Sequence, residues 1–232
     1  KILERNRSAT HWLMDETRWL VFVETEGKTG NRWWLWAITT KEAVVYILDP
    51  FRSSQVPKTH LGENPVGIIS ADRYSAYKAL LSAELRIAYC WAHVRRDYIR
   101  IADTSKKLHI WAQGWVNRIN KIYHLNNKRL EVLNDKPKFQ QADAVLRKEL
   151  KSFEETYLKE LEIEDFHTTA RKVHKSLRDH WSGLLIFVDY PEIPMDNNLS
   201  ERNIRPSAIG RKNYYGSGAI WSGDLTASRA TS

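Results

Sequence analysis

The order of strand-like and helix-like segments limits the possible folds of this chain more than any other feature. Three runs of β-type residues follow one another over short links before residue 50, which predicts an antiparallel meander. A short apolar run that ends in an acid, typical of a buried central strand, and one further short run come later. The predicted strands are residues 11–24, 33–39, 43–48, 66–72 and 85–89. Helices are predicted at 53–61 and 74–82, and the polar residues 1–10 are predicted to form an arm.

Residues 97–181 differ from the rest of the chain, because their apolar side chains recur at helical spacing. A polar break with a proline separates the first two predicted helices, and a third, more basic helix is predicted at 167–181. We therefore expect residues 1–96 and 182–232 to form one α/β core, with residues 97–181 as an all-α insertion. The tail is rich in Gly and Ser, and its basic residues 210–216 predict a loop or a short strand.

The composition indicates the kind of binding partner and the cellular compartment. The net charge is +8, which favours a polyanionic partner, most commonly nucleic acid. The single cysteine, Cys90, excludes an internal disulfide framework and fits a reducing compartment. No apolar run approaches the ~20 residues of a membrane span, so we expect no membrane partner. Because the chain begins at Lys1 rather than at Met, we expect it to be part of a longer protein.

Three acids make this order of segments chemically informative. Without the helical block, the order is that of a ribonuclease-H-like domain, a mixed five-stranded sheet with flanking helices. In that layout Asp15 on the first strand and Asp72 after the fourth lie side by side, and Glu201 on a later helix faces both. Clustered carboxylates repel one another in the absence of a cation, and Mg²⁺ prefers hard oxygen ligands. The acids predict a site for two metal ions that bind the attacking and leaving oxygens of a phosphodiester.

Each of these acids also has an ordinary structural interpretation. An Asp at a strand end is often a turn former, which applies to Asp15 and to Asp72. Asn198 can act as a helix N-cap, and Glu201 three residues later completes a capping-box-like arrangement. Rival acids in the same region are Asp189, Glu192 and Asp196. Spacing alone does not choose among them.

Four motifs decide between these interpretations. They are Asp-Glu-Thr at 15–17, Ala-Asp-Arg-Tyr-Ser-Ala-Tyr at 71–77, Cys-Trp-Ala-His-Val-Arg-Arg at 90–96, and a stretch from Tyr-Pro at 190–191 through Asp-Asn-Asn-Leu-Ser-Glu-Arg-Asn-Ile-Arg-Pro at 196–206 to Gly-Arg-Lys-Asn at 210–213. Together they resemble the IS66 family of bacterial insertion-sequence transposases. The resemblance covers about residues 11–218, and its most specific part is the last stretch.

The resemblance implies a DDE-type catalytic domain of ribonuclease-H-like fold with an all-α insertion before the last acid. Asp15, Asp72 and Glu201 match the acidic triad of the family. The implied reaction is Mg²⁺- or Mn²⁺-dependent cleavage and strand transfer at insertion-sequence ends and target DNA. We expect a homodimer or higher oligomer on DNA, in the bacterial cytoplasm at the nucleoid. Residues 219–230 depart from the family, so two alternatives stay open: a ribonuclease-H-like nuclease that only hydrolyses, and a catalytically decayed DNA-binding remnant.

Basic and amide side chains near the acids are candidates for contacts with DNA. His93 follows the fifth strand and suits contact with the scissile phosphate or orientation of a carboxylate, with a structural histidine as the alternative. The other candidates are Arg96, Asn198, Arg202, Arg205, Arg211 and Lys212. Arg202 and Arg205 equally suit neutralisation of the acids, whereas Asn197 and Asn198 suit capping first and contact with DNA second.

Several other features have stronger structural than functional interpretations. Cys90 and His93 have the spacing of half a zinc site, but a second pair at suitable spacing is missing from the sequence. Trp111 and Trp115 fall at helical spacing, which favours a place in the core over base stacking. The basic side chains of residues 171–178 suit either a DNA-facing helix or a solvated one.

Overall fold

A computed structural model describes every residue except Thr25, Lys28, Tyr215 and Ser232, and the side chains of residues 211–214, 229 and 230 are also outside the description. The chain divides into two compact units, which are described separately. The first unit contains Lys1–Tyr89 together with Asp196–Ser232, and the second contains Cys90–Met195. In chain order the helices are α1 (Ile2–Arg7), α2 (Gln55–Leu61), α3 (Ser75–Lys78), α4 (Trp91–Thr104), α5 (His109–Glu131), α6 (Lys136–Glu162), α7 (Thr168–Leu184), α8 (Ile186–Asp189), α9 (Asn198–Tyr214) and α10 (Ile220–Ala230).

The first unit is built on one mixed sheet. Its described strands are β1 (His11–Leu20), β2 (Arg32–Thr39), β3 (Val44–Asp49), β4 (Gly67–Ala71) and β5 (Leu85–Tyr89). Their spatial order is β3-β2-β1-β4-β5. Strands β1, β2 and β3 form the antiparallel meander that the short links predict, while β4 is parallel to both β1 and β5. The prediction of a mixed five-stranded sheet with flanking helices is therefore confirmed.

The predicted N-terminal arm is wrong, because these residues form helix α1 and anchor it to the sheet. The buried side-chain amide of Asn6 donates to the backbone carbonyls of Ile38 at 2.8 Å and Ala43 at 3.1 Å. The indole N–H of Trp12 donates to the backbone carbonyl of Asn6 at 2.8 Å. The sequence does not predict this contact, because a hydrogen-bonded amide attaches the helix and no apolar stripe is present to indicate it.

The predicted loop or strand at residues 210–216 is also wrong up to Tyr214, since α9 continues to that residue. Helix α10 follows and adds Ala227 to a cluster with Trp19, Trp33 and other residues of the sheet. The link between the two helices passes close to β1. A Cβ at Gly216, whose φ is 137°, would lie 2.3 Å from the carbonyl oxygen of Leu20, so this approach requires glycine.

The second unit is helical and has an aromatic core. Trp115, Phe153, Tyr157 and Trp181 pack against one another within it. The side chain of Glu160 accepts hydrogen bonds from Trp111 Nε1 at 2.8 Å, Trp115 Nε1 at 3.3 Å and His174 Nε2 at 2.8 Å. The core interpretation of Trp111 and Trp115 is confirmed, since Trp115 is buried and Trp111 packs beside it.

The basic helix predicted at 167–181 is present as α7. The guanidinium of Arg171 donates to the carbonyl of Leu161, in the last turn of α6, at 2.7 Å and to that of Glu164, beyond its end, at 3.0 Å. Arg178 is bonded to the adjacent Asp179 at 3.2 Å. These two cations are therefore engaged within the unit. Among the described helices, none combines the length and the apolar character that crossing a bilayer requires.

Candidate functional site

The register between β1 and β4 brings the first two predicted acids together. The strands run parallel, with His11 opposite Ile68 and Leu13 opposite Ser70. Continuing that register by two residues aligns Asp15 with Asp72, which directly follows β4. Parallel neighbours thus place both carboxylates at one end of the sheet, as the sequence predicts.

The start of α9 brings the third acid to the same place. The side-chain amide of the buried Asn197 donates to the carbonyl of Met14 at 2.7 Å, and the amide N–H of Glu201 donates to the carbonyl of Asn197 at 3.1 Å. Two residues further on, the side-chain amide of Asn203 donates to Thr39 Oγ1 at 3.1 Å, and its backbone carbonyl accepts from the hydroxyl of Tyr46 at 2.7 Å. These bonds attach the first turns of α9 to the sheet beside Asp15.

The electrostatics of Asp15 report the proximity of the other acids. Burial is the largest cause that raises the pKa of Asp15 from 3.8 to about 7. The negative charge of Glu16 raises this pKa next, while the backbone N–H of Glu16 lowers it. The charges of Glu201 and Asp72 raise it further. A carboxyl group whose pKa is raised by burial and by neighbouring carboxylates marks a place where a cation would bind favourably.

The carboxylate oxygens of the three acids suit a hard divalent cation, but they are spread apart. All three side chains are partly accessible and offer carboxylate oxygens, the ligands that Mg²⁺ and Mn²⁺ prefer. The three carboxylates are described in full, and they do not place one oxygen each within 4.8 Å of one another. Binding of one ion by all three would therefore require side-chain rotation.

The rival acids have other partners or positions. Asp189 belongs to the second unit, where it is bonded to Arg147 at 2.8 Å, and Glu192 is an exposed residue of that unit. The carboxylate of Asp196 accepts from the backbone N–H of Asn198 at 3.1 Å. Asn198 itself is the first helical residue, so the prediction that it precedes the helix as its N-cap is wrong. The residue before α9 is Asn197.

The predicted DNA contacts are divided between the two units. Arg202 and Arg205 are exposed on α9, as is Asn198, whose carbonyl accepts from Arg202 Nε at 3.4 Å. Arg211 and Lys212 fall in the same helix, but their side chains lie outside the described residues. His93 and Arg96 belong to α4 of the second unit, and both interact with neighbouring groups there or elsewhere in the chain. The structure thus places the exposed candidates of α9 near the acids, and their contact with DNA stays a prediction.

Sequence reasoning missed a second polar group beside Asp72. Glu16 is buried, and its carboxylate accepts from Arg52 Nε at 2.6 Å and from the hydroxyl of Tyr77 at 2.6 Å. Burial is the largest cause that raises the pKa of Glu16, and the charge of Asp72 raises it as well. The only signal in the sequence is that Glu16 adjoins Asp15 inside a strand otherwise rich in apolar residues.

The fold and the site define an α/β protein whose mixed sheet gathers acidic side chains at one end. A model of the family described as "Transposase IS66 family" matches residues 1–224, and the chain belongs to this family. The uncharacterized protein y4qI of Sinorhizobium fredii (strain NBRC 101917 / NGR234) is 29% identical to it over 99% of this chain and 45% of the relative. The uncharacterized protein y4jD of the same strain is 27% identical over 83% of this chain and 38% of the relative. The chain thus spans less than half the length of these curated relatives, and no solved structure matches it.

Proposed function

We propose that the first unit is the catalytic core of a transposase, which uses divalent metal ions to cleave DNA and transfer strands at the ends of an insertion sequence. The observation that carries this proposal is the gathering of Asp15, Asp72 and Glu201 from two parallel strands and a distant helix. Membership of the IS66 transposase family supports the reaction class. The charges of Glu16, Glu201 and Asp72 add to the effect of burial in raising the pKa of Asp15, and such a concentration of like charge supports a cation site.

We propose further that the unit has a ribonuclease-H-like fold of the DDE type. The strand order β3-β2-β1-β4-β5, with an antiparallel meander and two parallel additions, supports it. The first unit is assembled from two chain segments, which supports an all-α insertion between β5 and α9. The insertion limits at residues 97 and 181 remain part of this proposal.

The chain's own residues would bind and position the reacting groups. Asp15, Asp72 and Glu201 would hold one or two Mg²⁺ or Mn²⁺ ions, with Asp15 losing its proton on binding. Such ions, when bound, lower the pKa of a water or 3′-hydroxyl nucleophile and offset the charge that develops on the phosphodiester. Arg202 and Arg205, exposed within about one turn after Glu201, would contact phosphates of the DNA and so position the strand. Catalysis would then depend on position and charge, without a covalent protein intermediate.

The proposed substrates are the ends of an insertion sequence and a target DNA. Joining two ends to one target favours a homodimer or higher oligomer on DNA. A reaction on chromosomal DNA would take place in the bacterial cytoplasm, at the nucleoid. The net charge of +8 supports a nucleic-acid partner for the chain as a whole.

The test compares purified wild type with Asp72→Asn on DNA that carries the element's ends, in the presence of Mn²⁺. Wild type is expected to nick and join the DNA, whereas Asp72→Asn loses both activities by ~10³-fold or more, as removal of a principal charge-stabilising group does. The matched control is Asp224→Asn, which removes an exposed acid of α10 in the same unit. Equal nicking by wild type and Asp72→Asn would reject the catalytic assignment.

Product analysis separates the alternatives. Joined products require attack by a 3′-hydroxyl, so nicked DNA without joined DNA indicates a nuclease that only hydrolyses. Salt-sensitive DNA binding without cleavage, unchanged by Glu201→Gln, indicates a DNA-binding remnant.

A further inference from the structure

Arg52 lies in the link between β3 and α2 and occupies a closely packed position beside the acids. Its guanidinium carbon lies 3.7 Å from the centre of the Tyr74 ring and 4.8 Å from the centre of the Trp34 ring. Its Nε donates to the carboxylate of Glu16 at 2.6 Å. About a third of the side chain is accessible. Aromatic contacts and an ion pair therefore fix one cation in a single orientation.

The ion pair connects Arg52 to the strand that carries Asp15. Side chains alternate across a strand, so Glu16 and Asp15 leave β1 on opposite faces of the sheet. The hydroxyl of Tyr77, in α3, donates to the other carboxylate oxygen of Glu16 at 2.6 Å. Both oxygens of this buried acid are thus bonded, which identifies Glu16 as an anchor and not as a free ligand.

A second set of contacts connects Arg52 to Asp72. The backbone N–H of Tyr74 donates to Asp72 Oδ1 at 2.8 Å, and this bond orients the carboxylate. The ring of Tyr74 lies against the guanidinium, and its hydroxyl donates to the backbone carbonyl of Arg52 at 2.6 Å. Arg52 therefore contacts Tyr74 both at the ring and at the hydroxyl. The contacts run without a gap from β1 through Glu16, Arg52 and Tyr74 to Asp72.

We propose that Arg52 is a positioning residue of the acidic site, which fixes Asp72 relative to Asp15 through its contacts with Glu16 and Tyr74. This inference rests on the proposed function, because it concerns the same carboxylates. The physical basis of this proposal is that Asp72 lies just beyond the end of β4, so no strand pairing fixes its orientation. Groups that orient metal ligands typically change metal affinity 10- to 100-fold when they are lost.

The shape of arginine matters in this position as well as its charge. Only a planar guanidinium contacts two aromatic rings and a carboxylate in one geometry, whereas a lysine ammonium is a point charge on a flexible stem. Arg52→Lys therefore retains the charge and loses the orientation. We expect it to weaken Mn²⁺ binding about 10-fold, with a smaller, few-fold weakening for Tyr74→Phe, which lacks the hydroxyl bonded to the Arg52 carbonyl.

The experiment titrates the full chain with Mn²⁺ and measures the unbound ion by electron paramagnetic resonance, at a temperature where thermal melts in EDTA show each variant folded. The matched control is Arg32→Lys, an exposed arginine of β2, which is expected to bind Mn²⁺ like wild type. Asp72→Asn serves as the reference for loss of a ligand.

The outcomes are distinguishable. If Asp72→Asn binds Mn²⁺ as tightly as wild type, the proposed metal site itself is rejected. If Asp72→Asn weakens binding while folded Arg52→Lys matches the control, only the positioning role of Arg52 is overturned. Should Arg52→Lys fail to fold, unchanged Mn²⁺ affinity in Tyr74→Phe overturns that role, and weakened affinity supports it.

Discussion

A buried charge in the second unit and an acid in the first unit have opposite surroundings. In the second unit the buried guanidinium of Arg129 lies 2.9 Å from the carboxylate of Asp143 and donates to the carbonyls of Phe187 at 3.3 Å and Val188 at 2.5 Å. In the first unit Asp15 is surrounded by groups of its own sign. The surroundings of Arg129 supply a partner of opposite charge, whereas the surroundings of Asp15 concentrate negative charge.

Two partly buried carboxyl groups show the consequence. Burial alone raises the pKa of Glu160 in the second unit, but hydrogen bonds from His174 and Trp111 outweigh it, and the pKa falls below its ordinary value. Burial also raises the pKa of Asp15, and neighbouring carboxylates add to the increase, which takes it to about 7. A buried charge left without a partner reduces stability, and groups with perturbed pKa values cluster at functional sites. The first unit is therefore where we place the chemistry.

The largest effect is expected from breaking the matched arrangement at Arg129. In Arg129→Met, Asp143 and two backbone carbonyls lose a buried partner, and we expect the free energy of unfolding to fall by about 3–5 kcal/mol. Urea denaturation followed by circular dichroism measures it. The matched control is Arg147→Gln, whose half-exposed side chain also bonds to Asp143, at 2.7 Å, and which should cost less than about 1 kcal/mol. Equal losses in the two variants would show that burial of the charge is not what matters.

The opposite result is expected at Asp15 in the protein without metal. Its folded pKa of about 7 exceeds its ordinary value of 3.8, so the folded state binds the proton more tightly than the unfolded state. The resulting stabilisation is fully present below about pH 4 and is lost as pH rises through 7, by at most about 1.4 kcal/mol per pH unit. Asp15→Asn lacks this term, so its advantage over wild type should grow between pH 4.5 and 7.5 in EDTA.

Urea denaturation at four pH values across that range measures the difference, with Asp224→Asn as the control that should follow wild type. Addition of Mg²⁺ at pH 7.5 should stabilise wild type and leave Asp15→Asn nearly unchanged. If the difference in free energy of unfolding between wild type and Asp15→Asn does not vary with pH, the pKa of Asp15 is not raised by its surroundings.

The sequence predicts well those features that depend on the length and order of the strands. Strand β5 has the predicted bounds, because a run of this length suits a strand and is too short for an ordinary helix. The pairing of Asp15 with Asp72 followed from strand order, because parallel neighbours end at the same edge. Glu201 needed the family resemblance, since a glutamate in a first helical turn is also an ordinary capping residue.

The missed features depend on contacts between residues distant in the chain. Helix α9 continues through Gly210 although glycine costs about 1 kcal/mol in a helix, and tertiary contacts override that preference. In α10, a Cβ at Gly223 would lie 2.3 Å from Leu48 Cδ2, so close packing on β3 explains a glycine that suggests a flexible tail. The bond between Glu16 and Arg52 joins residues 36 positions apart, and no local pattern predicts such a pair.

The smallest effect is expected at His60, a matched group inside the first unit. Its Nε2 lies 2.7 Å from Asn6 Oδ1, and because the amide of Asn6 already donates to two carbonyls, Nε2 is the donor. Within the described part of the chain the buried Nδ1 has no hydrogen-bond partner, so protonation there would bury an unpaired N–H. Burial, with a smaller contribution from the charge of Arg7, lowers the pKa of His60 from 6.5 to about 4.

This lowered pKa gives a pH dependence opposite in sign to that of Asp15. The folded state binds the proton less tightly than the unfolded state, so the stabilisation is fully present above about pH 6.5 and is lost as pH falls towards 4. His60→Gln keeps a donor for Asn6 and removes the titration. Its free energy of unfolding should therefore fall less steeply than that of wild type between pH 6.5 and 4.5, while the exposed His124→Gln follows wild type. Parallel curves for His60→Gln and wild type would mean that protonation reaches Nδ1 without cost, and that the first unit is less closely packed around α1 than the hydrogen bonds of Asn6 indicate.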